Sequence, residues 1–201
     1  NTLFLVPYAG VDPTNGHALY RKLDGTITDV FDSADKVKFG TSDAPWMGGF
    51  STRLAYKGFD LSAQLNFFSG REMYNSELTN IANPDYYYDN LHISLLNEWT
   101  PTNTITDVPS SDLTGTSFET ETSRFIDNAS FWRLRNVTLG YTVPKTALAR
   151  IGIRTARIFV QGQNIWTSTK FRGFDPEATG TILQGQYPSL VQGSIGLTIG
   201  F

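Results

Sequence analysis

The sequence predicts an all-β fold, an antiparallel transmembrane β-barrel, on three observations. Runs of about ten residues alternate between apolar and polar positions, matching the roughly 9–11 residues of a membrane-crossing strand and exceeding the usual strand of about 5–6. Charged residues make up only 17% of the chain, and aromatic residues reach 13%. Soluble domains carry roughly 25% charge. The sequence has no apolar run long enough for a transmembrane helix, and its mean hydropathy of −0.22 suits strands with a single apolar face.

The clearest element is a hairpin over Gly48–Gly70 that turns at Lys57-Gly58. Phe50, Thr52, Leu54 and Tyr56 share one face of its first arm, opposite Ser51, Arg53 and Lys57. In the second arm Phe59, Leu61, Ala63, Leu65 and Phe67 alternate with Asp60, Ser62, Gln64 and Asn66. A second hairpin follows, Phe131–Val143 and Ala156–Thr169, joined through Pro144, Lys145 and Gly152. Its first arm alternates cleanly through Val137, Leu139, Tyr141 and Val143, its second less so through Ile158 and Val160. Lys145–Ile151 is long enough for one helical turn. The last strand, Leu190–Phe201, sets Ile195, Leu197, Ile199 and Phe201 against Ser194, Gly196, Thr198 and Gly200. A face of small and hydroxylated residues suits a polar lumen better than the inner layer of a sandwich.

Between the hairpins lies Arg71–Asn128, rich in Asn, Asp, Ser, Thr and Pro. So long a connection is unusual inside a compact soluble domain. Membrane barrels place short turns on the periplasmic side and long loops outside. That rule puts Lys57-Gly58 and Pro144–Arg154 in the periplasm, with Arg71–Asn128 and Phe171–Ser189 extracellular.

Several function classes are disfavoured. A net charge of −3 with scattered basic residues offers nucleic acid no footprint, and the absence of Cys removes disulfides and thiolate metal sites. His17 and His92 stand in no catalytic or metal-ligand motif, so neither an enzyme nor a cofactor is expected. Asp24-Gly25-Thr26-Ile27-Thr28 matches half of a calcium loop, but the ligand positions before it hold Tyr20 and Lys22 and the closing one holds Phe31; a turn is the better reading. Asn1 to Gly10 lack the charged start of a signal peptide, so an export signal is expected upstream.

The run Ala129-Ser130-Phe131-Trp132-Arg133-Leu134-Arg135-Asn136-Val137-Thr138-Leu139-Gly140-Tyr141-Thr142-Val143-Pro144 resembles a signature of the SusC/RagA-type TonB-dependent outer-membrane transporters of Bacteroidetes. Further resemblances follow in the same order along nearly the whole chain. Among them are Pro45-Trp46-Met47-Gly48-Gly49-Phe50, Lys57-Gly58-Phe59-Asp60-Leu61, Asn97-Glu98-Trp99-Thr100-Pro101, Gln161-Gly162-Gln163-Asn164-Ile165-Trp166-Thr167, Gly173-Phe174-Asp175-Pro176-Glu177 and Tyr187-Pro188. The resemblance implies that residues 1–201 are the C-terminal portion of such a transporter. That portion would be five clear strands, with a sixth near Ala18–Lys22, of a barrel of about 22 strands. Its plug and earlier strands would lie in preceding sequence or in another chain.

The implied function is import of a glycan or peptide nutrient across the Gram-negative outer membrane. The implied partners are the rest of the barrel and plug, a SusD-like surface lipoprotein, TonB-ExbB-ExbD acting through the plug, the barrel assembly machinery, and outer-membrane lipid. Ile195, Leu197, Ile199 and Phe201 then read as a barrel assembly signal as well as an apolar sheet face. Tyr86, Tyr87, Tyr88 and Trp99 offer aromatic platforms beside amides and carboxylates for substrate, or else pack within the loop or against a lipoprotein lid. Tyr56, Phe59, Tyr141 and Trp166 are either interfacial girdle residues or sandwich core. The rival from another class is a soluble β-sandwich that binds carbohydrate.

Overall fold

A computed structural model describes residues 2–84, 88, 90–111, 118–149, 152–178 and 187–201. In chain order its elements are β1 (Thr2–Leu5), β2 (Tyr8–Val11), β3 (Ala18–Arg21), β4 (Ile27–Thr28), β5 (Val37–Thr41), β6 (Trp46–Tyr56), β7 (Phe59–Ser69) and β8 (Glu72–Tyr74). There follow α1 (Ser76–Ile81), β9 (Ile126–Asn128), β10 (Phe131–Thr142), α2 (Lys145–Leu148), β11 (Thr155–Thr169) and β12 (Gln192–Gly200).

The long strands form one antiparallel sheet in the order β12-β11-β10-β7-β6. Its first hairpin turns with Lys57 at φ 47° and Gly58 at φ 88°. Positive φ at both central residues is the demand of a type I′ turn, which matches the strand twist. A Cβ on Gly58 would also stand 2.8 Å from the Thr142 carbonyl oxygen. Gly58→Ala is therefore expected to cost about 1–2 kcal/mol. The full-length barrel should show this as a lower midpoint in heat-modifiability gels, and an unchanged midpoint would contradict the turn assignment.

All the long strands fall where alternation places them. The one expected near Ala18–Lys22 forms, but it pairs with β2 and β4 in a small separate sheet, so the large sheet has five strands and not six. Asp24 starts the turn between β3 and β4, its carboxylate accepting from the Thr26 amide at 2.9 Å. The connection after β10 contains the anticipated helical turn, α2.

Burial is distributed unusually. No residue of β6, β7, β11 or β12 is buried, and β10 buries only Phe131, Arg133 and Gly140. The core lies instead in the segments joined to one end of the sheet, which together form a cap. One cluster is Val6, Ala18 and Tyr20; another is Leu78, Ala82 and Phe125; a third is Met73, Ala129, Phe171 and Ala178. The polar Arg71–Asn128 stretch thus contains a β8–β9 ladder, a short helix and three-residue or longer 3-10 turns rather than plain loop. It is tied to the N-terminal segment: the Val6 amide donates to the Glu121 carbonyl, the Ser123 amide to the Val6 carbonyl, and Lys36 pairs with Glu121 at 2.7 Å.

Candidate functional site

Register decides what each face of the sheet offers. Leu54, Leu61, Leu139, Val160 and Ile195 lie in one cross-strand row, and Tyr56, Phe59, Tyr141, Ile158 and Leu197 in the next. These residues share a face because pairs directly opposite in an antiparallel ladder point the same way. Most are half or more exposed: Leu54 60%, Leu139 51%, Ile195 76% and Leu197 64%. Ile199 continues this face opposite Ala156, while Phe201, one residue past β12, is exposed. An apolar surface five strands wide, with no layer over it among the described residues, is far from what a water-facing surface shows.

The aromatic residues of that face collect at its two ends. Phe67 stacks on Trp132 at 4.7 Å, near Trp46 and Trp166 at the cap end. Phe59 packs on Tyr141 at 4.6 Å beside Tyr56 at the turn end. From Phe59 to Phe67 is eight residue steps, roughly 27 Å along a strand. At a tilt of about 40° this spans about 20 Å, comparable to the roughly 25 Å apolar band of membrane barrels.

The other face is polar: Arg53, Ser62, Thr138, Gln161 and Ser194 form one row, and Asp60, Gly140, Phe159 and Gly196 the row nearer the turns. Arg157 Nη2 donates to Asp60 Oδ2 at 2.6 Å, so the pair joins β11 to β7 across β10. Gly140 makes the crossing possible, since a Cβ there would stand 2.6 Å from Asp60 Oδ1. Gly140→Val should break this pair and free Arg157; faster modification of Arg157 by a dicarbonyl reagent would detect it, and an unaltered rate would refute the crossing. Phe159 sits on this polar face with its ring over Gly196 and the Arg157 guanidinium 5.0 Å from its centre. Apolar Phe159 among polar residues is the physical reason that alternation in this strand reads weakly. A bulge adds to it, leaving Asn164 at φ 51°.

Near the cap the polar face carries a buried charge network that sequence reasoning did not assign. Arg133, 3% exposed, sends Nη2 to Asp175 Oδ1 at 2.6 Å, Nη1 to Glu177 Oε2 at 2.7 Å and Nε to the Thr167 hydroxyl at 3.0 Å. Arg135 also pairs with Glu177. Arg71 donates to the carbonyls of Ser42, Pro176 and Ala178. The Gly173–Glu177 motif is thereby clamped onto the end of β10. The signal was present, as both partners lie in motifs of the resemblance, but neither motif says that it meets the other.

Burial pushes the Asp175 carboxyl up, yet the hydrogen bonds from Arg133 and Ser189 outweigh it and hold the group below the ordinary carboxylate range. A depressed folded value stabilises above the unfolded pKa of about 3.9 and is lost as pH falls through the folded value. The clamp is therefore expected to hold at pH 5 and to release only in stronger acid. Protease accessibility of residues 171–178 across that range is the check, and release near pH 5 would contradict it.

Of the aromatic residues read as substrate or partner contacts, Tyr86 and Tyr87 lie outside the described residues. Tyr88 is 85% exposed. Trp99 packs half-buried within the cap segments, with Nε1 donating to the Pro13 carbonyl at 3.1 Å and its ring against Gly16. Nearby, Leu91, Ile93 and Leu96 line a shallow cavity with His92 and Leu95, and Ile93 and Leu96 are 75% and 85% exposed. Among the described residues no three His, Asp or Glu side chains gather as a metal site would require.

The chain matches no protein-family model. It is 34% identical over 167 residues, 83% of its length, to the TonB-dependent receptor P3 of Formosa agariphila. It is 29% identical over 184 residues to the TonB-dependent receptor SusC of Bacteroides thetaiotaomicron. It spans only 16% and 17% of those two relatives. Among solved structures, the RagAB peptide transporter superposes over 100% of the chain with a TM-score of 0.89 at 31% identity, the match covering 23% of that chain. The RagAB peptide importer in its open-open state matches with a TM-score of 0.90 over 98% of the chain.

Proposed function

Since the chain belongs to the SusC/RagA-type TonB-dependent transporters, we propose that it supplies five strands and part of the outer cap to an importer in the Gram-negative outer membrane. The complete protein takes up a glycan or peptide fragment. A SusD-like lipoprotein closes over the cap, and TonB-ExbB-ExbD drives transport through a plug carried elsewhere in the protein. The work is binding and passage rather than catalysis. Cap and long connections face outward, and the Lys57-Gly58 and α2 turns face the periplasm.

The observation that carries this reading is the two-faced sheet: a continuous apolar face banded by aromatics, backed by a polar face with an ion pair. Lipid covers the first and the lumen receives the second. A β-sandwich would need an opposing layer over the apolar face, and the cap sits at the sheet's end instead.

Exposed Ile93 and Leu96 on the cap suit the apolar centre of a lid contact. In cells that express the full-length transporter, Ile93→Asp with Leu96→Asp is expected to leave barrel assembly intact, reduce co-purification of the SusD-like lipoprotein and slow uptake. Full co-purification and uptake in a correctly assembled double variant would remove the lid role from this patch.

A further inference from the structure

Acidic residues are all but absent from the sheet. Of the 19 in the chain, only Asp60 belongs to the five long strands or to the short turns at 57–58 and 143–154, and Arg157 takes both of its carboxylate oxygens on the polar face, at 3.0 and 2.6 Å. Three cations stand at the end away from the cap. Lys57 is at the tip of the first hairpin, Lys145 opens α2 and Arg154 comes just before β11. Backbone bonds set these turns side by side, the Thr142 amide donating to the Gly58 carbonyl, the Val143 amide to that of Ala156 and the Arg154 amide to that of Gly200. Because β7, β10 and β11 are neighbours, the three positions fall within two strand spacings, roughly 10 Å. All three residues are exposed, and among the described residues none of them forms an ion pair.

The face on which this rim opens identifies its occupant. Lys57 Nζ lies 5.1 Å from the centre of the Tyr56 ring, and Tyr56 belongs to the apolar face together with Phe59 and Tyr141. An ammonium drawn over a girdle ring has its stem along hydrocarbon and its charge in the polar layer, the level at which lipid phosphates begin. A phosphate there meets cations that have no protein partner. A zwitterionic headgroup would bring an amine as well, and Asp60, already held by Arg157 on the other face, leaves it no carboxylate to meet. We infer that this rim holds an anionic phospholipid, its phosphate met by Lys57, Lys145 and Arg154 and its acyl chains lying along the apolar face. The site rests on the reading that lipid covers that face, and it adds a choice of headgroup in the leaflet on the side of the turns.

The test uses the complete transporter in phosphatidylcholine nanodiscs doped with phosphatidylglycerol or phosphatidylcholine that carries a photoreactive diazirine at the top of one acyl chain. Peptide mapping after illumination reads where each lipid attaches. At equal mole fraction, phosphatidylglycerol should label the peptides around Lys57 and Arg154 about tenfold more than phosphatidylcholine. Lys57→Gln combined with Lys145→Gln and Arg154→Gln should bring that ratio near one. Should the triple variant fail to assemble, wild-type protein in about 0.5 M sodium chloride decides, since screening of exposed charges must erase the preference. A ratio near one in the wild type, a ratio that survives the three substitutions or the salt, or loss of labelling to about 10 mM inorganic phosphate would overturn the site. Carbodiimide coupling of Lys57 or Lys145 to a carboxylate elsewhere in the transporter would give the rim to a protein segment instead. A second probe, with the diazirine at the chain end, separates the two failures. Labelling of Leu61, Ala63 and Leu65 without a preference at the rim would sink this site alone, whereas no labelling of those residues by either lipid would sink the lipid-facing reading.

Discussion

Replacing Ala63 with Arg is expected to remove most of the full-length protein from the assembled outer-membrane fraction, while Gln64→Arg one residue away leaves assembly near wild type. Ala63 lies midway between the girdle residues Phe59 and Phe67 and pairs with Thr52 and Val137 on the apolar face. An Arg facing lipid at mid-bilayer costs about 2–4 kcal/mol in a membrane barrel. Gln64 is exposed on the polar face, opposite Ser51 and Asn136, where a guanidinium stays hydrated. Heat-modifiability on gels reads the outcome. Equal folded yields would mean that the faces are reversed or that lipid does not cover them.

The second large effect concerns the clamp at the cap end. Arg133→Met leaves buried Asp175 without its cation, and Glu177 with only Arg135. Removing one partner of a buried pair costs about 3–5 kcal/mol because the remaining charge stays desolvated. Hydrogen exchange should then rise sharply across residues 171–178, with the five-strand sheet still protected. Arg133→Lys should rescue little, as an ammonium cannot reach Asp175, Glu177 and Thr167 with one planar fork. Unchanged protection in Arg133→Met would show that Arg71 and Arg135 hold the loop without it.

What the sequence revealed and what it concealed divides along physical lines. Strands such as Phe59–Ser69 were legible because lipid and lumen impose opposite demands on successive residues, and that demand is written locally as period two. The turn at Lys57-Gly58 was legible for the same local reason. Phe159 and the bulge at Asn164 blurred β11, since a ring that packs over Gly196 and a left-handed residue both break the period for reasons held on a neighbouring strand. Ala18–Arg21 read as a strand but not as a member of the cap sheet. Pairing partners, unlike alternation, are not encoded in the strand itself.

The candidate sites were less legible. Arg133 and Asp175 are 42 residues apart, and Trp99 and the Pro13 carbonyl are 86 apart. Only the fold brings them together. The polar composition of Arg71–Asn128 hid its small core, because Leu78, Ala82 and Phe125 are too few and too dispersed to produce a periodic signal. The basic rim gave no signal either: Lys57, Lys145 and Arg154 are scattered along the chain, and only the strand order sets their turns side by side.

The central claim is that one face of the sheet meets lipid and the other meets water. These 201 residues contain no cysteine, so, with any cysteine elsewhere in the full-length protein replaced by serine, a single spin label can be placed at each position from Phe59 to Phe67 in protein reconstituted into bilayers. Oxygen dissolves in the bilayer, and a charged nickel chelate stays in water. The account predicts oxygen accessibility peaking at Leu61, Ala63 and Leu65, with nickel accessibility peaking out of phase at Ser62, Gln64 and Asn66. Accessibilities that do not alternate, or nickel reaching both faces equally, would contradict it.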